Sequence, residues 1–232
     1  MNGRFRKLSV NIVFACIALV CLCAAAADIP AQTVVDKTVA TVSDGTKTEL
    51  ITLSDLRWQL ALMPGIELEP ASSENLNRAL QLLINQRLFA LEAERLPQPE
   101  PTQDEINAKI AEMISYFPTT AEFIRRLQMV GFDSITDDNF ERIISERLSI
   151  DKYLEFRFRS FIVVTPADEA AYYRDVFVPK FRETSPGKII PTIDDERAEI
   201  HSVLTEQRVA EAIEAFLDEA KRRAEIIYIS PV

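Results

Sequence analysis

Cysteine is almost absent from this sequence. Its three cysteines, Cys16, Cys21 and Cys23, all lie inside one apolar run near the amino terminus. If that run is removed, the remaining chain has no thiol, which excludes disulfides, thiolate metal sites and a cysteine nucleophile.

Histidine and glycine are also scarce. His201 is the only histidine, which excludes a two-histidine zinc site and an HExxH helix, and we interpret it as an ordinary helix residue. Five glycines in 232 residues argue against glycine-rich phosphate loops and many-turned β architectures. We therefore expect no catalytic residue, no cofactor and no metal site, and predict that the protein is not an enzyme.

The amino terminus has the pattern of a secretory signal peptide. Arg4, Arg6 and Lys7 precede an apolar run at residues 12–27, whose small final residues suit cleavage before Asp28. This pattern predicts a signal peptide at residues 1–27 and export to the periplasm. The alternative is an uncleaved inner-membrane anchor, for which the apolar run is somewhat short.

The predicted mature chain, residues 28–232, is strongly acidic. Three of the 26 basic residues and none of the 36 acidic residues precede Asp28, which leaves a net charge of −13. This charge disfavours nucleic acid and anionic lipid surfaces as partners. The length suits one large or two small domains, and we predict a single domain.

Two stretches near the amino terminus predict a β-hairpin. Residues 34–42 alternate and are rich in β-branched side chains, and Leu50 and Ile51 resume the pattern after Asp44-Gly45. Asp-Gly between two such runs is a hairpin signal. A last apolar run from Ile226 to Ile229 predicts a terminal strand that pairs with this hairpin.

The rest of the sequence is predicted to be helical. Five predicted helix starts have a threonine three residues before an acid, which is the spacing of a capping box. These pairs are Thr52 with Asp55, Thr102 with Glu105, Thr119 with Glu122, Thr165 with Asp168 and Thr192 with Asp195. Apolar residues then recur at helical spacing. We predict a mostly α fold of about six to seven helices, with a linker at about residues 183–191.

The order of these stretches resembles the chaperone module of the SurA family of periplasmic folding factors. The likeness covers nearly all of the predicted mature chain. It is carried by residues 34–42 and 51–56 (opening hairpin and first helix), 82–93 and 102–106 (second and third helices), 163–173 (the helix before the isomerase domain) and 224–229 (closing strand).

One departure from the family decides what the resemblance implies. Family members commonly insert parvulin-type prolyl isomerase domains after the helix at residues 163–173, but here Tyr173 and Arg197 are only 24 positions apart. The resemblance therefore implies an ATP-independent chaperone, or holdase, that binds unfolded exported proteins such as outer-membrane proteins, without isomerase activity. The alternative is a periplasmic interaction or assembly domain that binds one folded partner. A homodimer formed by arm exchange at the linker remains open.

The resemblance also implies a helical cradle that holds extended peptide on an apolar wall. Methionine is adaptable and common on promiscuous binding surfaces, and three methionines of this chain lie near aromatic residues at predicted helix ends. The predicted peptide-binding residues are Trp58, Leu62, Met63, Met113, Phe117, Met129 and Phe132. The alternative is that they belong to the core. The cradle requires a large apolar groove near Trp58, Met63, Met113 and Met129.

Overall fold

The structure is a computed structural model that describes residues 36–96 and 99–232. The predicted signal peptide, and the part of the predicted first strand before residue 36, lie outside the described residues. Residues 37–232 form one compact unit.

Three short antiparallel strands form a sheet in the order β2-β1-β3. The strands are β1 (Thr38–Ser43), β2 (Thr48–Thr52) and β3 (Glu225–Tyr228). Thr41 of the central strand lies opposite Leu50 on one side and Ile227 on the other. The predicted pairing of the terminal strand with the amino-terminal hairpin is thus confirmed, and it joins the two ends of the described chain.

The β1–β2 turn follows the Asp-Gly signal. Gly45 has a φ of 88°, a value that residues with a side chain rarely adopt. The Asp44 carboxylate accepts hydrogen bonds from the backbone of Thr46 and Lys47. A hydrogen bond from the Thr46 hydroxyl, together with these backbone bonds, holds the pKa of Asp44 well below its usual range.

The remaining elements are helical, as predicted. The helices are α1 (Leu53–Ala61), α2 (Ser73–Ala93), α3 (Gln103–Ser115), α4 (Thr120–Met129), α5 (Asp138–Arg157), α6 (Pro166–Tyr172), α7 (Val178–Thr184) and α8 (Ile193–Arg223). A five-residue π-helical turn, Tyr173–Phe177, joins α6 to α7, so that residues 166–184 form one continuous helix. Counted in this way, the described residues contain seven α-helices, which agrees with the predicted mostly α fold.

Four of the five predicted capping boxes are complete. At Thr52, Thr102, Thr165 and Thr192 the hydroxyl accepts from the backbone three residues on, and the acid there accepts from the threonine N–H. Thr119 accepts from Glu122 N, but no hydrogen bond from Thr119 N–H to the Glu122 carboxylate closes the box in the described residues. Each cap satisfies helix-end amides that would otherwise lack a partner.

Three clusters of buried apolar side chains hold these elements together. The first joins the sheet to α1, α2 and the end of α8, with Val42, Ile51 and Leu60 at its centre. The second joins α3, α4 and the start of α5 around Phe123 and Phe140. The third packs the end of α5 on the middle of α8. None of the helices in the described residues has the length and apolarity needed to cross a lipid bilayer.

Candidate functional site

A groove runs between α2 and α5, and we call it the α2–α5 groove. It consists of two adjoining cavities of about 440 and 70 Å³ that share Arg87, Arg142, Glu146 and Ile150. The larger cavity reaches the β1–β2 hairpin at Lys47 and Glu49, and the smaller one reaches Trp58 of α1. The larger volume lies in the range of known ligand sites, roughly 300–1,000 Å³.

The floor and the rim of the larger cavity differ in chemistry. Its lining includes small and apolar side chains, Ala90 and Ala93 of α2 and Ile150 of α5, which we call the floor. We call its charged lining residues, which carry both signs, the rim: Lys47, Glu49, Arg87, Glu94, Arg142 and Glu146. An apolar floor can bury side chains of a ligand, and a mixed rim can accept backbone or polar groups of many sequences.

Most charges of the rim are paired with each other. Lys47 Nζ lies 2.8 Å from Glu49 Oε1 and 2.5 Å from Glu94 Oε1, which raises the pKa of Lys47 above its usual range. Arg142 Nη1 lies 2.6 Å from Glu146 Oε1, one helical turn along α5. These exposed pairs contribute little to stability, and they leave the rim nearly neutral.

Three arginines line the smaller cavity, which we call the arginine pocket, and two of them, Arg87 and Arg147, have no carboxylate of the described residues within hydrogen-bond distance. Arg147 Nη2 donates to Gln59 Oε1 over 2.7 Å, and Arg87 Nη2 lies 3.8 Å from Asp55 Oδ2. The Nε atoms of both arginines are shielded from solvent and have no partner among the described residues. Burial, followed by repulsion from Arg87, lowers the pKa of Arg147 to about 10 although Asp151 and Glu146 oppose the shift.

The carboxylates nearest to this pocket already serve other groups. Asp55 accepts the N–H of Thr52 over 2.9 Å, Glu146 pairs with Arg142, and Asp151 lies 3.6 Å from Lys109. No carboxylate of the described residues forms an ion pair with Arg147. Burying a cation whose hydrogen-bond partner is neutral costs free energy. A negatively charged group bound in this pocket would therefore be stabilising.

The structure brings only one of the seven predicted peptide-binding residues, Trp58, to the α2–α5 groove. Met113, Phe117 and Phe132 are buried in the second core cluster, and Leu62 packs against it. Met63 packs against the first cluster. Met129 is 41% exposed.

The core positions of Met113, Phe117 and Phe132 have one physical cause. The ends of α1, α3 and α4 meet at the start of α5, so the methionine and aromatic side chains there fill the space between helices. Met113, Phe117 and Phe132 therefore have a core position, the alternative recognised from the sequence. Peptide binding by the predicted set stays a prediction.

A second exposed feature lies where α5 ends. Phe156 and Phe161 contact each other edge to face with ring centroids 6.3 Å apart. They and Val163 are 46%, 69% and 70% exposed. We call these three residues the apolar patch. Phe158, between them in sequence, is instead buried in the third cluster.

Two arginines, Arg159 and Arg208, form polar contacts next to the apolar patch. Arg159 binds Glu155 over 2.7 Å and Glu206 over 2.6 Å. Arg208 donates to Val163 O and lies 2.9 Å from Asp168 Oδ2. The basic and aromatic residues at 156–161 therefore form a helix end with mixed faces.

No protein-family model and no curated protein matches this sequence. The likeness to the SurA family therefore remains a resemblance carried by the residues named above. Among residues 36–96 and 99–232, no three His, Cys, Asp or Glu side chains are placed to hold a metal ion. The absence of a cofactor and of catalysis stays a prediction.

Proposed function

We propose that this protein is an exported, ATP-independent chaperone that holds extended segments of unfolded polypeptides and does not isomerise proline. The α2–α5 groove carries the proposal. It is open, its floor is apolar, and its rim carries charges of both signs. Such a surface suits weak binding to many sequences, which a chaperone needs in order to release its clients.

The position of the groove in the fold supports this proposal. Two long helices, of 21 and 20 residues, form its walls. Lys47 and Glu49 of the adjoining β1–β2 hairpin also line it, and the sheet of that hairpin ties the beginning of the described chain to its end. A groove whose walls are already formed by long helices needs little backbone ordering when a ligand binds, which favours affinity.

The test is an aggregation assay with the purified protein. A urea-unfolded outer-membrane β-barrel protein is diluted into buffer, and light scattering is followed at increasing ratios of the protein. Ala90→Trp should fill the groove floor and abolish suppression of aggregation. Ala111→Trp is the matched control, since Ala111 is exposed on α3 and does not line the groove. Suppression that is lost equally in both variants, or absent in the wild type, would reject the groove as a client site.

The apolar patch favours a second candidate function, an interaction domain that binds one folded partner. Its side chains are exposed, and one of its backbone carbonyls, Val163 O, accepts a hydrogen bond from Arg208, which favours a preformed contact surface. Phe161→Ser should weaken such an interaction and leave the aggregation assay unchanged. Loss of holdase activity in Phe161→Ser would assign the patch to client binding instead.

A further inference from the structure

The arginine pocket has more hydrogen-bond donors than acceptors. A guanidinium group carries five N–H donors, and in the described residues Arg147 uses one of its terminal nitrogens, toward Gln59. Arg87 contacts its only carboxylate at 3.8 Å, beyond hydrogen-bond length. The two arginines therefore offer donors that the folded chain does not use.

Their placement makes them accessible from the groove. Both line the smaller cavity, and neither is fully buried. The larger cavity opens into the same space, because it shares Arg87, Arg142, Glu146 and Ile150 with it. A ligand that lies along the groove floor can thus extend one end into the arginine pocket.

Carboxylate is the group that matches this arrangement. Arginine binds a carboxylate through two parallel N–H···O bonds, and such charge-assisted bonds are about twice as strong as neutral ones. The protein as a whole has a net charge of −10 and repels anions, whereas no carboxylate of the described residues lies within hydrogen-bond distance of Arg87 or Arg147. A ligand carboxylate would also offset the cost of keeping Arg147 buried beside a neutral amide.

We propose that the arginine pocket binds a carboxylate of the polypeptide held in the α2–α5 groove, between Arg87 and Arg147. The inference rests on the proposed function and adds a chemical preference to it. The carboxylate can come from the carboxyl terminus of the client or from an Asp or Glu side chain.

The test uses the fluorescence of Trp58, the only tryptophan of the chain, which lines the pocket. Three decapeptides of one Leu-, Phe- and Ser-containing sequence are titrated into the protein expressed as the full chain. The first has a free carboxyl terminus, the second a carboxyl-terminal amide, and the third an amide and one internal Asp. Tighter binding of the first identifies a terminal carboxylate, and tighter binding of the third identifies a side chain.

We expect at least one acidic peptide to bind about ten-fold more tightly than the neutral amide. Arg147→Met should remove this difference. Gln59→Glu should also remove it without disturbing the packing, because it supplies an internal carboxylate to Arg147. Arg78→Met is the charge-matched control, since Arg78 is exposed on α2 and pairs with Glu74, and it should keep the preference.

Two results would overturn the inference and differ in what they say of the groove. Equal affinity of all three peptides would reject the carboxylate site and leave peptide binding intact. Binding of none of them would reject both the carboxylate site and the groove as a peptide site. A preference that survives Arg147→Met and Gln59→Glu would place the acidic contact outside the arginine pocket.

Discussion

Arg126 of α4 reaches the end of α1, where its Nη2 donates to Leu60 O over 2.7 Å. The same guanidinium donates to the carbonyls of Ala61, Met63 and Ile66. Helix carbonyls at a carboxyl terminus lack partners within the helix and carry partial negative charge. Burial lowers the pKa of Arg126, but four carbonyls replace the water that it lost, so Arg126 joins α4 to the first core cluster.

Arg126→Met is predicted to lower the free energy of unfolding by about 3–5 kcal/mol, since it removes a buried hydrogen-bond network. Urea unfolding followed by circular dichroism measures the change. Arg125→Met is the control: Arg125 is the exposed neighbour, and its loss should change stability by at most about 0.5 kcal/mol. Equal effects of the two substitutions would contradict the conclusion that Arg126 joins α4 to the first core cluster.

Gln59→Glu is predicted to raise stability at neutral pH by about 1–2 kcal/mol, because a carboxylate 2.7 Å from Arg147 would replace a neutral acceptor. Gln207→Glu, on the exposed face of α8, controls for the added charge and should be near neutral. Thermal unfolding of both variants beside the wild type provides the comparison. If the Gln59→Glu variant is less stable than the wild type, a carboxylate next to Arg147 does not stabilise the folded protein.

Helix starts and strand pairing could be predicted from the sequence because their causes are local. A threonine hydroxyl and an acid three residues away interact whatever lies around them, as at Thr102 and Glu105. The hairpin follows from one Asp-Gly pair between two β-branched runs. The predicted boundaries at Thr52 and Thr192 agree with the structure for the same reason.

The groove and its arginines could not be derived in this way, since they depend on the packing of α2 against α5, which are far apart in sequence. One signal was present. Arg87, Arg126 and Arg147 each interrupt an apolar helical face, for example between Ile84 and Leu88 or between Phe123 and Leu127. A cation on a core-facing stripe must find an acceptor. The sequence does not show that Arg126 finds four carbonyls and Arg147 one amide.

The buried carboxylate of Glu169 is predicted to make stability depend on pH. It accepts from His201 Nδ1 at 2.9 Å and from Arg197 Nη1 at 2.6 Å. The His201 contact, with Arg197 in support, lowers the pKa of Glu169 below its usual 4.5. A carboxyl whose pKa is depressed in the folded state stabilises the protein above its unfolded pKa, and that stabilisation is lost as pH falls through the folded value.

Glu169→Gln should therefore destabilise the protein near neutral pH, and its difference from the wild type should shrink as the pH falls below about 4.5. Urea midpoints measured across this range give the comparison. Glu199→Gln, an exposed change on α8, should show little difference at any pH. A Glu169→Gln deficit that is constant with pH would assign the effect to packing and not to charge.

The groove also predicts where a bound client can be captured. Ser149 lines its larger cavity, so p-benzoyl-phenylalanine placed there should crosslink an unfolded outer-membrane protein on irradiation. The same amino acid at Ser202, exposed on α8 and not in the groove lining, should give little product.

Phe156, seven residues beyond Ser149, lies on the same face of α5, because seven residues make nearly two full turns. Placing p-benzoyl-phenylalanine at a third position, Phe161, then distinguishes a client that stays in the groove from one that extends onto the apolar patch. Crosslinks at Ser149 and Phe161 together would mean that the client extends from the groove along α5 onto the apolar patch. Crosslinks at Ser149 alone would confine it to the groove, and crosslinks at Ser202 equal to those at Ser149 would show that the client has no defined path.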